Sequence, residues 1–267
     1  MANDSMPDAG LRPTYVRYAK LWLRQHGLGD GPPTPLLTAR LAVRWRARTL
    51  DSVLQAVLII GAALVLVSGG LGSRRPAPVL ALGALIAALV LARTLLDAWI
   101  RRVDRQVGAA LARRAAHAVQ PGWRALLGWP YAALVAGTFA GAFALGAGAL
   151  AVGEDTARYA AVVVLVAVVG VGLGEALQLR ELLARPVVAE DEVSLMADVI
   201  MRIEDVREGT TPTVLWTLPM VLLVGFSPGW LNAACFGFVV LGAAAYIAVR
   251  FRMPGAAAVA REVVGAR

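Results

Sequence analysis

Hydrophobic and polar positions fall along this chain in long blocks rather than in short alternation, the pattern a bilayer imposes on helices that cross it. The first apolar block runs from Val53 to Leu71, 19 residues that cover roughly 28 Å as a helix and so match the hydrocarbon core. The second begins near Val79, stays uncharged to Ala92, and continues through Arg93 and Asp97 without a breaker until Pro121. It predicts one long helix that leaves the membrane. Two further blocks, 131–152 and 159–179, are joined by the short turn Gly153 to Arg158. From Gly209 to Val249 there are 41 residues without a charge, divided by Ser227-Pro228-Gly229 into blocks at 212–226 and 230–249. The expected fold is all-α and polytopic, with six transmembrane helices in three hairpins at 53–71, 79–100, 131–152, 159–179, 212–226 and 230–249.

The segments between the blocks have their own pattern. Residues 1–52 are polar, basic and broken by prolines, and lack the apolar core and small-residue cleavage site of a secretory signal. Within them Tyr15, Tyr18, Leu21 and Trp22 recur at helical spacing beside Arg17, Lys20 and Arg24, which predicts an amphipathic helix lying in the headgroup region. Arg40, Arg44, Arg46 and Arg48 then suit anionic lipid, at about 1 kcal/mol each. The loops 101–130 and 180–211 are expected to be helical and cytosolic, and 253–267 to be a cytosolic tail.

Composition agrees with this layout. The chain is 58% hydrophobic and 16% charged, where a soluble domain carries about a quarter charged residues, so an ordinary cytosolic enzyme is excluded. A net charge of +8 raises nucleic-acid binding, but the arginines flank apolar blocks and form no stripe with interleaved stacking residues. Lys and Arg favour the cytoplasmic side. With the N-terminus inside, the four inner segments hold 8, 7, 4 and 4 of them, 23 in all, against 3 in the outer turns. Both termini are therefore expected in the cytosol of a multi-pass cell-membrane protein.

Candidate chemistry is sparse. A single cysteine, Cys235, and two distant histidines exclude a disulfide and a local metal motif, and no phosphate loop or nucleophile elbow occurs. No cofactor, metal or catalytic residue is expected. Glu190-Asp191-Glu192 could hold Mg²⁺ in a lipid-processing enzyme, but it sits at a helix start, where acids are favoured anyway. Arg93, Asp97 and Glu175 lie near the cytoplasmic ends of their spans, and an Arg93–Glu175 contact that fixes packing is expected ahead of an ion relay. Gly137 with Gly141, and Gly170 with Gly174, have the spacing for close helix approach. Pro219 in the short fifth block predicts a kink, or an interrupted helix of the kind that lines transport sites.

The loop 180–212 carries 8 acids and 4 bases inside an otherwise basic rim. Its residues Val193, Met196, Ile200, Ile203 and Val206 form one apolar stripe, with Asp198 and Arg202 an i,i+4 pair and Gly209 the stop. Met196, Ile200, Ile203 and Val206 are the expected docking face for a cytosolic partner; the alternative is packing on the chain's own other loop or on the membrane surface. In segment order the chain resembles the membrane half of an ABC exporter, with an elbow-type leader, six spans and longer inner connections after spans two and four. That resemblance implies a permease-like transport subunit driven by a separate cytosolic ATPase. The other expectations are a non-enzymatic membrane scaffold or signalling subunit and, behind both, a lipid-processing enzyme. The partners expected are the lipid bilayer and a cytosolic protein, with no nucleic acid; a homo-oligomer is compatible with the pattern.

Overall fold

The computed structural model describes residues 12–29, 31–69, 77–110, 122–152, 155–184, 192–209, 213–224 and 227–265. Among them every regular element is an α-helix: α1 Pro13–Gln25, α2 Pro35–Gly69, α3 Ala77–Ala110, α4 Trp123–Leu126, α5 Trp129–Val152, α6 Asp155–Ala184, α7 Glu192–Gly209, α8 Thr213–Leu223, α9 Gly229–Arg252 and α10 Ala256–Gly265. The chain is an all-α, multi-pass membrane protein: α2, α3, α5, α6 and α9 are long and apolar enough to cross a bilayer. Their outward faces are apolar, as at Val57, Ile60 and Val67 of α2, Val166 and Leu173 of α6, and Val240 and Leu241 of α9. In water such a surface would drive association; in lipid it is the expected solvent-facing side.

The fifth expected span forms differently. Its helix, α8, has 11 residues and covers about 16 Å, half the hydrocarbon thickness. It lies inside the bundle against α5, α6 and α9, with Leu215, Leu218, Leu222 and Leu223 fully buried. Trp216 meets Tyr246 edge-on at 6.0 Å, so α8 starts level with the last turns of α9. Hydropathy registers an apolar run and cannot say how much of it is helical, which is why the sequence suggested a longer element.

Two apolar cores divide the molecule. One fills the bundle, from Leu58 and Leu82 to Leu231 and Cys235. The second gathers α1, the first turns of α2, the end of α4, the start of α5, the end of α6, and α7 and α10 into a helical cap at one end. The leader helix forms as its spacing predicts, but Tyr15, Ala19, Trp22 and Leu23 are buried against the protein rather than spread on lipid. Arg17, Lys20 and Arg24 remain exposed. The chain ends of the fold meet in the cap, where Arg261 Nη2 of α10 donates to the His26 carbonyl at 3.4 Å. Gly128 turns the chain from α4 into α5 with φ +74°, a left-handed conformation that disfavours a side chain, and a Cβ there would also approach Met253.

Of the four glycines expected at helix contacts, one serves. A Cβ on Gly141 would lie 2.5 Å from Phe238 Cε2 of α9, whereas Gly137, Gly170 and Gly174 face open space within 4 Å. The close approach of α5 and α6 uses neighbouring glycines instead: Gly146 faces Leu165, and Gly172 faces Phe139. Gly137, Gly170 and Gly174 thus have the right residue type on the wrong face, because the sequence offers several small residues per turn.

Candidate functional site

The arginines of α2 form a ladder. Arg40, Arg44 and Arg48 stand one helical turn apart, so their side chains leave one face of the helix together. Helix α7 presents Asp198, Asp205 and Glu208 in the same order, and α3 contributes Asp104 from its extension beyond the bundle. Arg40 donates from Nε to Asp104 Oδ1 at 2.9 Å and from Nη2 to Asp198 Oδ1 at 2.5 Å. Arg44 grips two carboxylates with a fork on each: Asp104 at 2.8 and 3.2 Å, and Asp205 from Nε at 2.9 Å and Nη2 at 2.7 Å. Arg202 completes the set on Asp198 at 2.9 Å. Three guanidiniums and three carboxylates therefore close one neutral network, with side-chain exposures of 3% for Arg44, 2% for Asp104 and 1% for Asp198.

Further out, Arg48 donates to Glu208 at 2.6 Å, to Glu204 at 3.2 Å and to the Tyr18 hydroxyl at 3.3 Å. Glu204 also accepts from Trp22 Nε1 at 3.3 Å and lies 3.1 Å from His26 Nε2. His26 Nδ1 in turn sits 2.8 Å from the Trp22 carbonyl. Both partners of the imidazole are acceptors, so both ring nitrogens must donate and the fully bonded form is the imidazolium. Burial works against that charge, but the Glu204 carboxylate and the Trp22 carbonyl outweigh it and hold the His26 pKa above its ordinary 6.5. Burial likewise opposes the charge on Glu204, yet His26 and Arg48 hold it below its ordinary 4.5.

These shifts give the α1–α7 contact a pH window. The His26 contribution is present in full below pH 6.5 and is lost as pH rises through the raised value. The Glu204 contribution is present above pH 4.5 and is lost as pH falls through the lowered value. Cap stability should therefore fall as pH is raised from 6.5 through the raised His26 value, and His26→Gln should flatten that slope in thermal unfolding. Equal slopes for the two proteins would remove His26 as the bridge.

A polar pocket of about 310 Å³ opens beside this network, between α2, α3, α6 and α7. Arg93 and Asp97, two residues singled out from sequence, line it. Arg93 does not pair with Glu175: it forks onto Asp51 of α2 at 2.6 and 2.9 Å. Asp97 and Glu175 make no hydrogen bond or ion pair among the described residues. Asp51, one turn beyond Arg48 on the ladder face, was the partner missed, since nothing local in the sequence links α2 to α3.

The expected docking stripe is covered by the chain. Ile200, Ile203 and Val206 are buried, and Met196 packs on the same cap core. Pro219 lies inside α8, buried, and lines neither the polar pocket nor the small apolar gap of about 10 Å³ beside Leu58, Ile86 and Val221. Glu190 and Asp191 of the possible Mg²⁺ cluster lie outside the described residues, and among those described no group of three His, Cys, Asp or Glu could hold a metal.

Fold and site define a multi-pass helical membrane protein with a charge-stitched cap. Comparison with protein-family models, with curated proteins and with solved structures finds no match for the chain.

Proposed function

We propose that this chain is a membrane scaffold or signalling subunit of the cell membrane, with both termini in the cytosol and a cap that receives an acidic protein partner. The observation that carries the reading is the distribution of polar groups. Among the described residues the bundle core is largely apolar, with a gap of about 10 Å³ beside Leu58, Ile86 and Val221, while the ion pairs and the 310 Å³ pocket lie toward the cap. A gap of that size holds about one water, too little for a solute path. The positive-inside count supports a cytosolic cap. The sixth passage of this reading is supported by α8, which is apolar and starts level with the end of α9.

Asp198, Glu204, Asp205 and Glu208 of α7 are paired with the arginines of α2. Among the exposed charges of the cap, Arg17, Lys20 and Arg24 lie on one face of α1, a basic face suited to an acidic surface and to steering its approach. Crosslinking in native membranes followed by gentle purification should recover a partner in fixed ratio, and glutamate at all three positions should release it while leaving the melting temperature unchanged. Recovery of the chain alone, or a partner indifferent to the triple change, would contradict the reading.

Transport driven by a separate ATPase is the second reading, favoured by one observation: a short, proline-containing helix inside the bundle. It draws less support because the stripe that would dock the ATPase is buried in the cap core. An ATPase as the recovered partner would shift the assignment to it.

A further inference from the structure

The wall of the 310 Å³ pocket carries four arginines and four acids, and one of those acids has no direct partner among the described residues. Each arginine in its wall has its own carboxylate: Arg44 on Asp104 and Asp205, Arg48 on Glu204 and Glu208, Arg93 on Asp51, and Arg101 on Glu181 at 3.1 Å. Asp97, also in the wall, makes no ion pair or hydrogen bond among the described residues, although Arg93 and Arg101 sit one turn away on either side of it. Those cations are spent on other carboxylates. Asp97 is therefore the acid of the wall that has no direct ion pair among the described residues, and Arg101 and Arg93 favour its charge only from a distance.

Depth and shape narrow the occupant further. Ser52 and Gln55 line the pocket at the level of the exposed Leu50, Val53 and Val57 of α2, and Leu91 and Leu95, on another face of α3, are exposed at the depth of Arg93 and Asp97. The opening thus lies at the seam between hydrocarbon and polar cap. Leu96, Ile100 and Leu182 make part of its lining apolar, while Ser52 and Gln178 add hydrogen-bonding groups. Its volume lies at the low end of small-ligand sites. A half-buried carboxylate in an amphipathic pocket at headgroup depth is matched by a cation on an amphipathic carrier.

We propose that this pocket binds the ammonium group of an amphipathic amine, with Asp97 as its counter-ion and the alkyl part held in lipid against α2 and α3. The ligand chemistry is common to an ethanolamine lipid headgroup and to a free long-chain amine. The site is independent of the protein partner read above, since it uses the inner wall of the cap and not the exposed face of α1.

Two arms separate the sources. In the first, the full chain is placed in nanodiscs of equal phosphatidylethanolamine and phosphatidylglycerol, and the lipids it retains are weighed by native mass spectrometry. In the second, nanodiscs of phosphatidylglycerol alone are titrated with dodecylamine or dodecanol, and the melting temperature is followed. The wild-type chain should favour ethanolamine lipid over glycerol lipid, or the amine over the alcohol, by about tenfold. Asp97→Asn should erase the preference without lowering the starting melting temperature, because Asp97 anchors no ion pair. Ser52→Trp, which plugs the rim and leaves every charge in place, should erase it too. Preference in the first arm assigns a lipid headgroup, and preference in the second alone assigns a free amine. No preference in either arm, or a preference that survives both substitutions, overturns the proposal.

Discussion

Replacing Arg44 with methionine is expected to destabilise the cap by about 3–5 kcal/mol, the range for removing one partner of a buried ion pair. The methionine keeps much of the apolar stem but leaves Asp104, 2% exposed, and Asp205 facing each other across the vacated position. Arg40 still reaches Asp104 at 2.9 Å, so the loss should concentrate on Asp205 and on the seating of α7. Arg44→Lys should rescue little, because an ammonium cannot fork onto two carboxylates at once. The check is reversible unfolding in mixed detergent micelles, read alongside protease sensitivity of α7. A loss below about 1 kcal/mol would be the behaviour of a surface salt bridge and would mean that the network is hydrated.

The second large effect is expected at Gly141. Any side chain there meets Phe238, starting with a Cβ at 2.5 Å, and leucine must push α5 and α9 apart. Overpacking of this kind costs about 1–3 kcal/mol. Gly137→Leu, one turn earlier on the same helix, should be nearly neutral because it faces open space. Adding Phe238→Ala should recover part of the loss at Gly141. If Gly137→Leu and Gly141→Leu proved equally harmful, the contact between α5 and α9 would not be the one described.

These two sites differ in how far the chain announced them. Gly141 was visible as one of a pair of spaced glycines, but spacing alone did not say which of Gly137, Gly141, Gly170 and Gly174 faces a neighbour. The long spans were legible for a stronger reason: an uncharged run of the right length has few alternatives once water is excluded. Helix α7 was also legible, in its apolar stripe and in its stop at Gly209. What covers that stripe was not, since α1 and α10 come from the two ends of the chain.

The arginine ladder was the main misreading. Arg40, Arg44 and Arg48 suited lipid phosphate and protein carboxylate equally well, because either anion satisfies a guanidinium. The deciding residues, Asp198 and Asp205, lie 158 and 161 positions away. A signal was nonetheless present: the acidic loop of a basic chain places Asp198, Asp205 and Glu208 toward one side of a helix, in the order of the ladder. Arg93 failed in the same way, with Asp51 on another helix taking the place expected for Glu175. Hydropathy likewise could not foresee that the segment around Pro219 folds as only 11 helical residues.

The account rests on α2 and α7 being joined by direct, buried charge pairing. A double-mutant cycle on Arg40 and Asp198, whose atoms lie 2.5 Å apart, tests this most directly. Unfolding free energies of the wild type, Arg40→Met, Asp198→Leu and the double variant should show strong non-additivity, the double losing less than the sum of the singles by more than about 1 kcal/mol. Additivity to within about 0.5 kcal/mol, as for residues that share no contact, would contradict it.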